Sequence, residues 1–405
     1  MKLAQKKKKA PWTMEDLDKV LKYLKDNKSR DPFGLANELF KKNAAGDDLK
    51  CAVLKLLNRI KSEQKYPEAL EICDITSIYK LRGNINDFNS YRGIFRVPII
   101  RTILDRLIYN DEYEVIDEAL SDSNVGARRG RDVRDNIFVL NAITNSVMNG
   151  KEEPLDIQVF DIEKCFDALW VEECINVIFE TGFDNDKLPL LFLENQNAMI
   201  AVKTPTGVSK RVPIKNVIMQ GTVWGSLLCT TSMDKLGQHV YKHEELLYKY
   251  KGEVSIPSLG MVDDVMVIQK CSSDSVRMNA VVNAFVEAKK LTLSKTKCHK
   301  LHIQNKRNHD DANCPKLKVH SEEMAESIKE KYLGDIIDNT GKIRSTIEDR
   351  KNKGYGMVAE ILAIINEIPL GQYKMESGLI LRQAMLLNGL LFNSEAWHDI
   401  NDVEI

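Results

Sequence analysis

The sequence predicts an α+β fold, and three observations carry the prediction. Apolar residues recur at helical spacing through the first third of the chain. Short β-prone runs alternate with helical stretches through the middle. Helical periodicity then returns and holds to the C-terminal end. Bulk composition agrees: 405 residues are 43% hydrophobic and 29% charged. Those are ordinary globular values, and they exclude wholesale disorder and collagen-like or membrane-spanning composition.

Residues 1–12, MKLAQKKKKAPW, read as a basic arm. No apolar segment follows the lysines, so a basic arm rather than a signal peptide is expected. Thr13 with Asp16 three residues later is an N-cap signature, and Leu17, Val20, Leu21 and Leu24 follow at helical spacing. A second helix is expected over 49–60, with Leu54, Leu56, Leu57 and Ile60 on or near one face. SRDPFG between them holds Pro and Gly breakers and reads as a loop. ITSIYKL and IFRVPII are β-prone, 102–120 is helical, and SNVGARRGRDVRD is an Arg-rich loop before a helix at 136–148.

The pattern changes at 155. LDIQVFDI reads as a strand, 171–180 as a helix, and IAVKT with VSKRVPI as a hairpin around Pro205–Gly207. Residues 225–241 are helical. SIPSLGMVDDVMVIQK is two β-prone runs around an acidic pair. A helix at 275–290, the strand KLHIQN, and YLGDII with a turn at 338–341 come next. Helices at 346–365 and 376–393 close the chain.

Eight cysteines form no CxxC pair, and none has a histidine at finger-like spacing, so a structural zinc site is not expected and reduced thiols are. No apolar run approaches the ~18 residues of a membrane-spanning helix, and no membrane partner is expected.

Two acidic sites carry the chemistry. Asp161 ends an apolar strand, and Asp263–Asp264 sit inside an apolar β run. Buried-strand carboxylates are costly unless compensated, and adjacent acids between Val262 and Val265 point to a tight turn. If the two strands are neighbours, Asp161 and Asp263 converge into a hard-oxygen site suited to Mg²⁺. Between them lies QGTVWGS. Gly221 and Gly225 there allow a ligand to approach the backbone at a helix start. Each piece also has a plain reading: a hairpin turn, a helix capped by Ser226, a core ring at Phe166.

In this order and spacing the pieces resemble a reverse transcriptase of the non-LTR (LINE-like) retrotransposon type. FDIEKCFD resembles motif A, QGTVWGS motif B, MVDD motif C, LTLSKTKC motif D and KYLGDIID motif E. NSYRGIFRVPIIRTILDRL and VGARRGRDVRD resemble the two fingers motifs, and RQAMLLNGLLFNSEAW resembles the thumb. The resemblance implies a right-hand polymerase fold: helical and β fingers over 13–153, a ferredoxin-like palm over 154–335 with interleaved fingers elements, and an incomplete helical thumb over 336–405.

By the same resemblance, Asp161 and Asp263 hold two Mg²⁺ ions (Mn²⁺ as substitute) with Asp264 beside them, and Phe166 is an aromatic gate that selects dNTPs. Gln220 and Gly221 contact the incoming nucleotide or template. Arg128 clamps the triphosphate, with Arg92, Arg96 and Arg131 as further contacts. Lys297, with Lys295 in competition, protonates pyrophosphate. The implied partners are an RNA template, a DNA primer and dNTPs. The implied setting is a polymerase segment of a retrotransposon polyprotein, or a decayed copy, in the cytoplasm or nucleus. Two other readings stand beside this one: an RNA-directed RNA polymerase, which Phe166 speaks against, and a remnant that binds nucleic acid without turnover. Met261, Cys165 and Gly93 depart from the residues usual at their motif positions, and none of them is a metal ligand.

The charges sum to −1, from 58 basic and 59 acidic residues. On its face this argues against nucleic acid, but the sum conceals a pattern. Stretches at 91–110, 195–233 and 289–307 are rich in Lys and Arg, whereas 111–122 and 321–330 are acidic. A basic cleft in an acidic shell is expected.

Overall fold

The computed structural model describes residues 10–41, 46–81, 83–204, 207–305, 315–341, 343–369 and 371–397. Most of the basic arm, Pro205 and Thr206 of the expected turn, and Lys306, Arg307 and Cys314 lie outside the described residues. The chain divides into two compact units. One comprises Met1–Asp122 and Lys164–Lys235, the other Ser123–Glu163 and Leu236–Ile405. Among the described residues no helix is long and apolar enough to cross a membrane.

In the first unit, helix Met14–Tyr23 starts at a full capping box. The Thr13 hydroxyl accepts from the Asp16 N–H, and the Asp16 carboxylate accepts from the Thr13 N–H. Leu17, Val20 and Leu21 are buried as the spacing requires. Helix Gly46–Glu63 corrects the expected face: Val53, Leu57 and Ile60 form the buried stripe, and Leu56 is exposed. The 3.6-residue period admits Val53 with Leu57 and Ile60, and turns Leu56 away. SRDPFG is a loop, fixed by Asp31, whose carboxylate accepts from the N–H groups of Phe33, Leu35 and Ile99. It thereby caps helix Ile99–Ala119.

The sheet of this unit runs Tyr91–Arg96, Ile72–Tyr79, Ala198–Thr204, Gly207–Val208, with Val212–Ile214 also paired to Ala198–Thr204. The central pair is parallel, Ile72 opposite Met199. Helix Ile99–Ala119 is buried on several sides and carries charges into the interior. Lys187, fully buried, reaches Asp111 and Glu112 at 2.7 Å each. Burial on that scale is tolerable because the ammonium is paired twice. Helix Leu188–Gln196 was not legible in the sequence, since LPLLFLENQ has no polar face to set a period.

The second unit is built on a sheet ordered Ala325–Glu326, His299–Ile303, Leu155–Asp161, Asp264–Lys270, Leu259–Met261. Helix Val133–Met148, begun by an Asp132–Asp135 capping box, packs Ile137, Leu140, Ile143 and Val147 against Leu155, Ile157, Val159, Met266 and Ile268. Helix Ser273–Ala288 covers the other face: Gln158 Nε2 donates to the Ser275 carbonyl at 3.1 Å, and Asn279 Nδ2 donates to Gln158 Oε1 at 3.1 Å. Covered on both sides, strand Leu155–Asp161 is buried from Leu155 to Phe160, with Asp156 and Gln158 included. Hairpin Lys329–Tyr332 with Asp335–Asp338 turns at Leu333–Gly334, both left-handed. The end is helical over Arg344–Glu367 and Gln372–Leu381. The single helix expected over 376–393 instead changes to a π-helical turn at Arg382–Leu387.

Candidate active site

The acidic hairpin is organised by strand register. Leu155–Asp161 and Asp264–Lys270 are antiparallel, and Asp161 stands directly opposite Asp264. Side chains at opposed positions share a face with Cβ atoms about 5 Å apart. Met261 pairs with Asp264 on the other side, so Val262 and Asp263 form a two-residue turn. The tight turn expected from the sequence is present. The acid most directly facing Asp161 is Asp264, and Asp263 sits at the turn tip beside it.

That turn has a cost. Val262 is left-handed at φ 61, a conformation β-branched residues rarely adopt. Asn124 holds it there. Its Nδ2 donates to the Val262 carbonyl at 3.0 Å, and its Oδ1 accepts from the Val262 N–H at 3.1 Å and the Gly126 N–H at 2.9 Å. Gly126 has to be small, because a Cβ there would lie 2.5 Å from the Val262 nitrogen. Backbone bonds between Ser123, Val125 and Gly260 lay this loop along strand Leu259–Met261. The sequence reading missed Asn124. Its only signal was its position just before VGAR, in a loop read for its arginines.

Two further side chains support the hairpin from below. Asn136 Nδ2 donates to the Gly260 carbonyl at 2.9 Å, and Tyr332 Oη donates to the Leu259 carbonyl at 2.8 Å. Burial, with the Asp264 charge nearby, pushes the Tyr332 phenol well above its ordinary pKa, so it stays a neutral donor. Tyr332 is the tyrosine of KYLGDIID, which ties that motif physically to the acids.

Lys297 Nζ contacts both Asp161 oxygens, at 3.0 and 2.9 Å. Its loop is fixed to the strand end: the Ser294 N–H donates to the Asp161 carbonyl at 2.9 Å, and the Glu163 N–H donates to Thr292 at 2.8 Å. Lys295 instead pairs with Glu322. Of the two lysines left open by the sequence, the structure brings Lys297 to the acids. Arg128 Nη1 donates to the Asn124 carbonyl at 3.3 Å, which places it by the same loop.

Arg131 is exposed in the second unit, and the remaining expected residues lie in the first. Phe166 is half-buried on the short helix Cys165–Ala168, and Cys165 Sγ lies 3.4 Å from Cys229 Sγ. Gln220 accepts at its carbonyl from the Phe95 N–H at 3.0 Å. Gly221 has φ +94, and a Cβ there would lie 2.9 Å from Ile94. The expected Ser226 cap is corrected: Thr222 Oγ1 accepts from the Gly225 N–H at 3.2 Å. Gly225 itself cannot carry a side chain, since a Cβ would lie 2.1 Å from the Met219 carbonyl oxygen. Arg92 is exposed on strand Tyr91–Arg96. Arg96 pairs with buried Asp74 at 2.6 Å, joined by Arg211 at 3.2 Å.

The charge pattern also needs correction. Arg101 and Lys300 are buried and held by acids, and Arg106 lies over the rings of Tyr23 and Tyr109. The two buried cations add nothing to a basic surface, and Arg106 is half-buried. Lys203, Lys210 and Lys215 in one unit and Lys290, Lys295 and Lys297 in the other stay exposed.

A family model described as reverse transcriptase (RNA-dependent DNA polymerase) matches residues 85–337, more than half of the chain. Among solved structures, apo telomerase from Candida tropicalis, truncated from its C-terminal domain, aligns with a TM-score of 0.46 and 15% sequence identity. The alignment covers 71% of this chain and 58% of the telomerase chain. No curated protein matches the chain.

Proposed function

The chain belongs to the reverse transcriptase (RNA-dependent DNA polymerase) family, with that family's right-hand polymerase fold, and on this premise we propose that it is an active RNA-directed DNA polymerase. It would add dNTPs to a DNA primer 3′-OH on an RNA template and release pyrophosphate. The observation that carries the reading is the opposed pair Asp161 and Asp264, with Asp263 in the turn beside them and a cation, Lys297, bound across both Asp161 oxygens. An all-oxygen, strand-mounted set that already attracts an ammonium fits a hard divalent cation.

Asp161, Asp263 and Asp264 would hold two Mg²⁺ ions, with Mn²⁺ as substitute. When bound, such ions polarise the attacking hydroxyl and stabilise the leaving oxygen of an in-line displacement. The chain's own residues supply positioning and charge. The Lys297 ammonium would give its proton to pyrophosphate. The Arg128 guanidinium would grip the triphosphate as a planar fork, with Arg92 as a further contact. Gln220 and Gly221 would meet the nucleotide or template, and the Phe166 ring would occupy the space a 2′-OH needs. The seven ordered motifs support a further proposal, that the chain is the polymerase segment of a non-LTR, LINE-like retrotransposon polyprotein with fingers over 13–153, palm over 154–335 and thumb over 336–405.

The test is extension of oligo(dT) on poly(rA) with dTTP and Mg²⁺ or Mn²⁺. Template binding without extension would replace this reading by a nucleic-acid binder that has lost turnover. Substituting Phe166→Ala is expected to lower the preference for dTTP over UTP by at least about tenfold, the discrimination a shaped apolar contact provides. Equal use of both nucleotides by the unsubstituted chain would remove Phe166 from the gate. The logarithm of template affinity is expected to fall linearly with log salt concentration, because phosphate contacts by lysines release counterions. A flat salt titration would contradict the basic-surface assignment.

A further inference from the structure

The sheet of the second unit carries another group of metal-ligating side chains, remote from the acids. Register sets His302, Asp156 and Gln269 in one row across three neighbouring strands. Cys271 follows two residues after Gln269, on the same side, its N–H donating to the Pro154 carbonyl at 3.0 Å. One ligand atom from each of Asp156, Cys271 and His302 lies within 4.8 Å of the other two. Asp156 is fully buried, and its Oδ2 has no hydrogen-bond partner among the described residues. Its Oδ1 meets His302 Nδ1 at 3.0 Å and Lys300 Nζ at 3.4 Å. A buried carboxylate oxygen left unpaired is costly, so the orphaned Oδ2 points to a ligand.

We propose that Asp156, Cys271 and His302 form a three-ligand site for a borderline-soft divalent cation of the Zn²⁺ class. Imidazole, thiolate and carboxylate together suit zinc, whereas magnesium takes oxygen alone. The site is distinct from the acidic hairpin. Five residues of strand separate Asp156 from Asp161, about 17 Å. Alternation also puts Asp161 on the face of Ile157 and Val159, and Asp156 on the face of Gln158.

Lys300 completes the second layer. Its ammonium donates to the Pro315 carbonyl at 3.0 Å and steadies Oδ1, which leaves Oδ2 to the ion. Thiolate and carboxylate supply two negative charges for the ion, and Glu326, 3.8 Å from Lys300 Nζ, answers the ammonium. A tetrahedral site needs ligand atoms about 3.3–3.8 Å apart, so no pair has to close by more than about 1.5 Å. Cys271, partly exposed and just past its strand, is the ligand placed to move and the side from which an ion enters. A bound ion would staple three strands, two of which carry Asp161 and Asp264 at their far ends.

The test is titration of the full, untagged chain with Co²⁺ after chelator treatment. The expected result is a thiolate-to-cobalt charge-transfer band that saturates at one ion per chain and is displaced by Zn²⁺. It is lost in Cys271→Ser and weakened at least about tenfold in affinity in His302→Gln. Both substituted side chains are partly exposed, so neither change empties a core position. Zn²⁺ is also expected to raise the Tm of the unsubstituted chain but not that of Cys271→Ser. A chain that shows no thiolate band, or a band that survives Cys271→Ser, would overturn the proposal. Primer extension is not the readout, so this site stands or falls apart from the polymerase reading.

Discussion

Asp263→Asn is expected to abolish primer extension on poly(rA)/oligo(dT), with a loss of at least about 10³-fold, while template affinity stays within about twofold. The loss of even one preorganised electrostatic group at a reacting centre costs about 10²–10³ in rate, and this substitution removes a carboxylate from a proposed two-ion site. Asparagine has the same shape, and Asp263 is half-buried at a turn tip with no core to disturb. The proposed template contacts are lysines elsewhere, so template binding serves as the internal control. The measurement is single-turnover extension beside filter binding of labelled template. Extension within tenfold of the unsubstituted chain would remove Asp263 from the metal site, and a parallel loss of template binding would make the effect structural.

Asn124→Leu is expected to lower extension by about 10²-fold without touching any nucleotide contact. The side chain holds both backbone groups of Val262, the strained residue that aims Asp263 and Asp264. Leaving a half-buried N–H and C=O unpaired costs about 1–3 kcal/mol each, and each 1.36 kcal/mol at the transition state is about tenfold in rate. A positioning role predicts a fall in kcat with the KM for dTTP nearly unchanged. It also predicts partial rescue by Val262→Gly in the same chain, since glycine adopts φ 61 without strain. A purely structural role would give a lower Tm and no rescue, and extension within threefold would dismiss the clamp.

Much of the fold was legible because its signals are local. The Thr13–Asp16 capping box, the helices at 171–180 and 225–241, and the acidic turn all follow from neighbouring residues, and the structure has each of them. Helix Leu188–Gln196 was lost for lack of a polar face. The face of helix Gly46–Glu63 was misplaced by one position because leucines at 54, 56 and 57 do not say which of them packs. Arg101 and Lys300 looked like surface charge because sequence does not show which cations are buried with carboxylates.

The sequence by itself determined the motif order, the acids, the glycines and the family resemblance, since these are properties of residue type and short spacing. Only the tertiary structure decided that Asp264 faces Asp161, that Lys297 rather than Lys295 reaches it, and that Asn124 clamps Val262 from 138 residues away in sequence. The eight cysteines make the same point. Read by spacing they argued against any structural zinc site, yet strand register sets Cys271 beside Asp156 and His302, three residues from separate parts of the chain. Register and burial are set by long-range packing, and no local pattern encodes the distance between side chains that only the folded sheet makes neighbours.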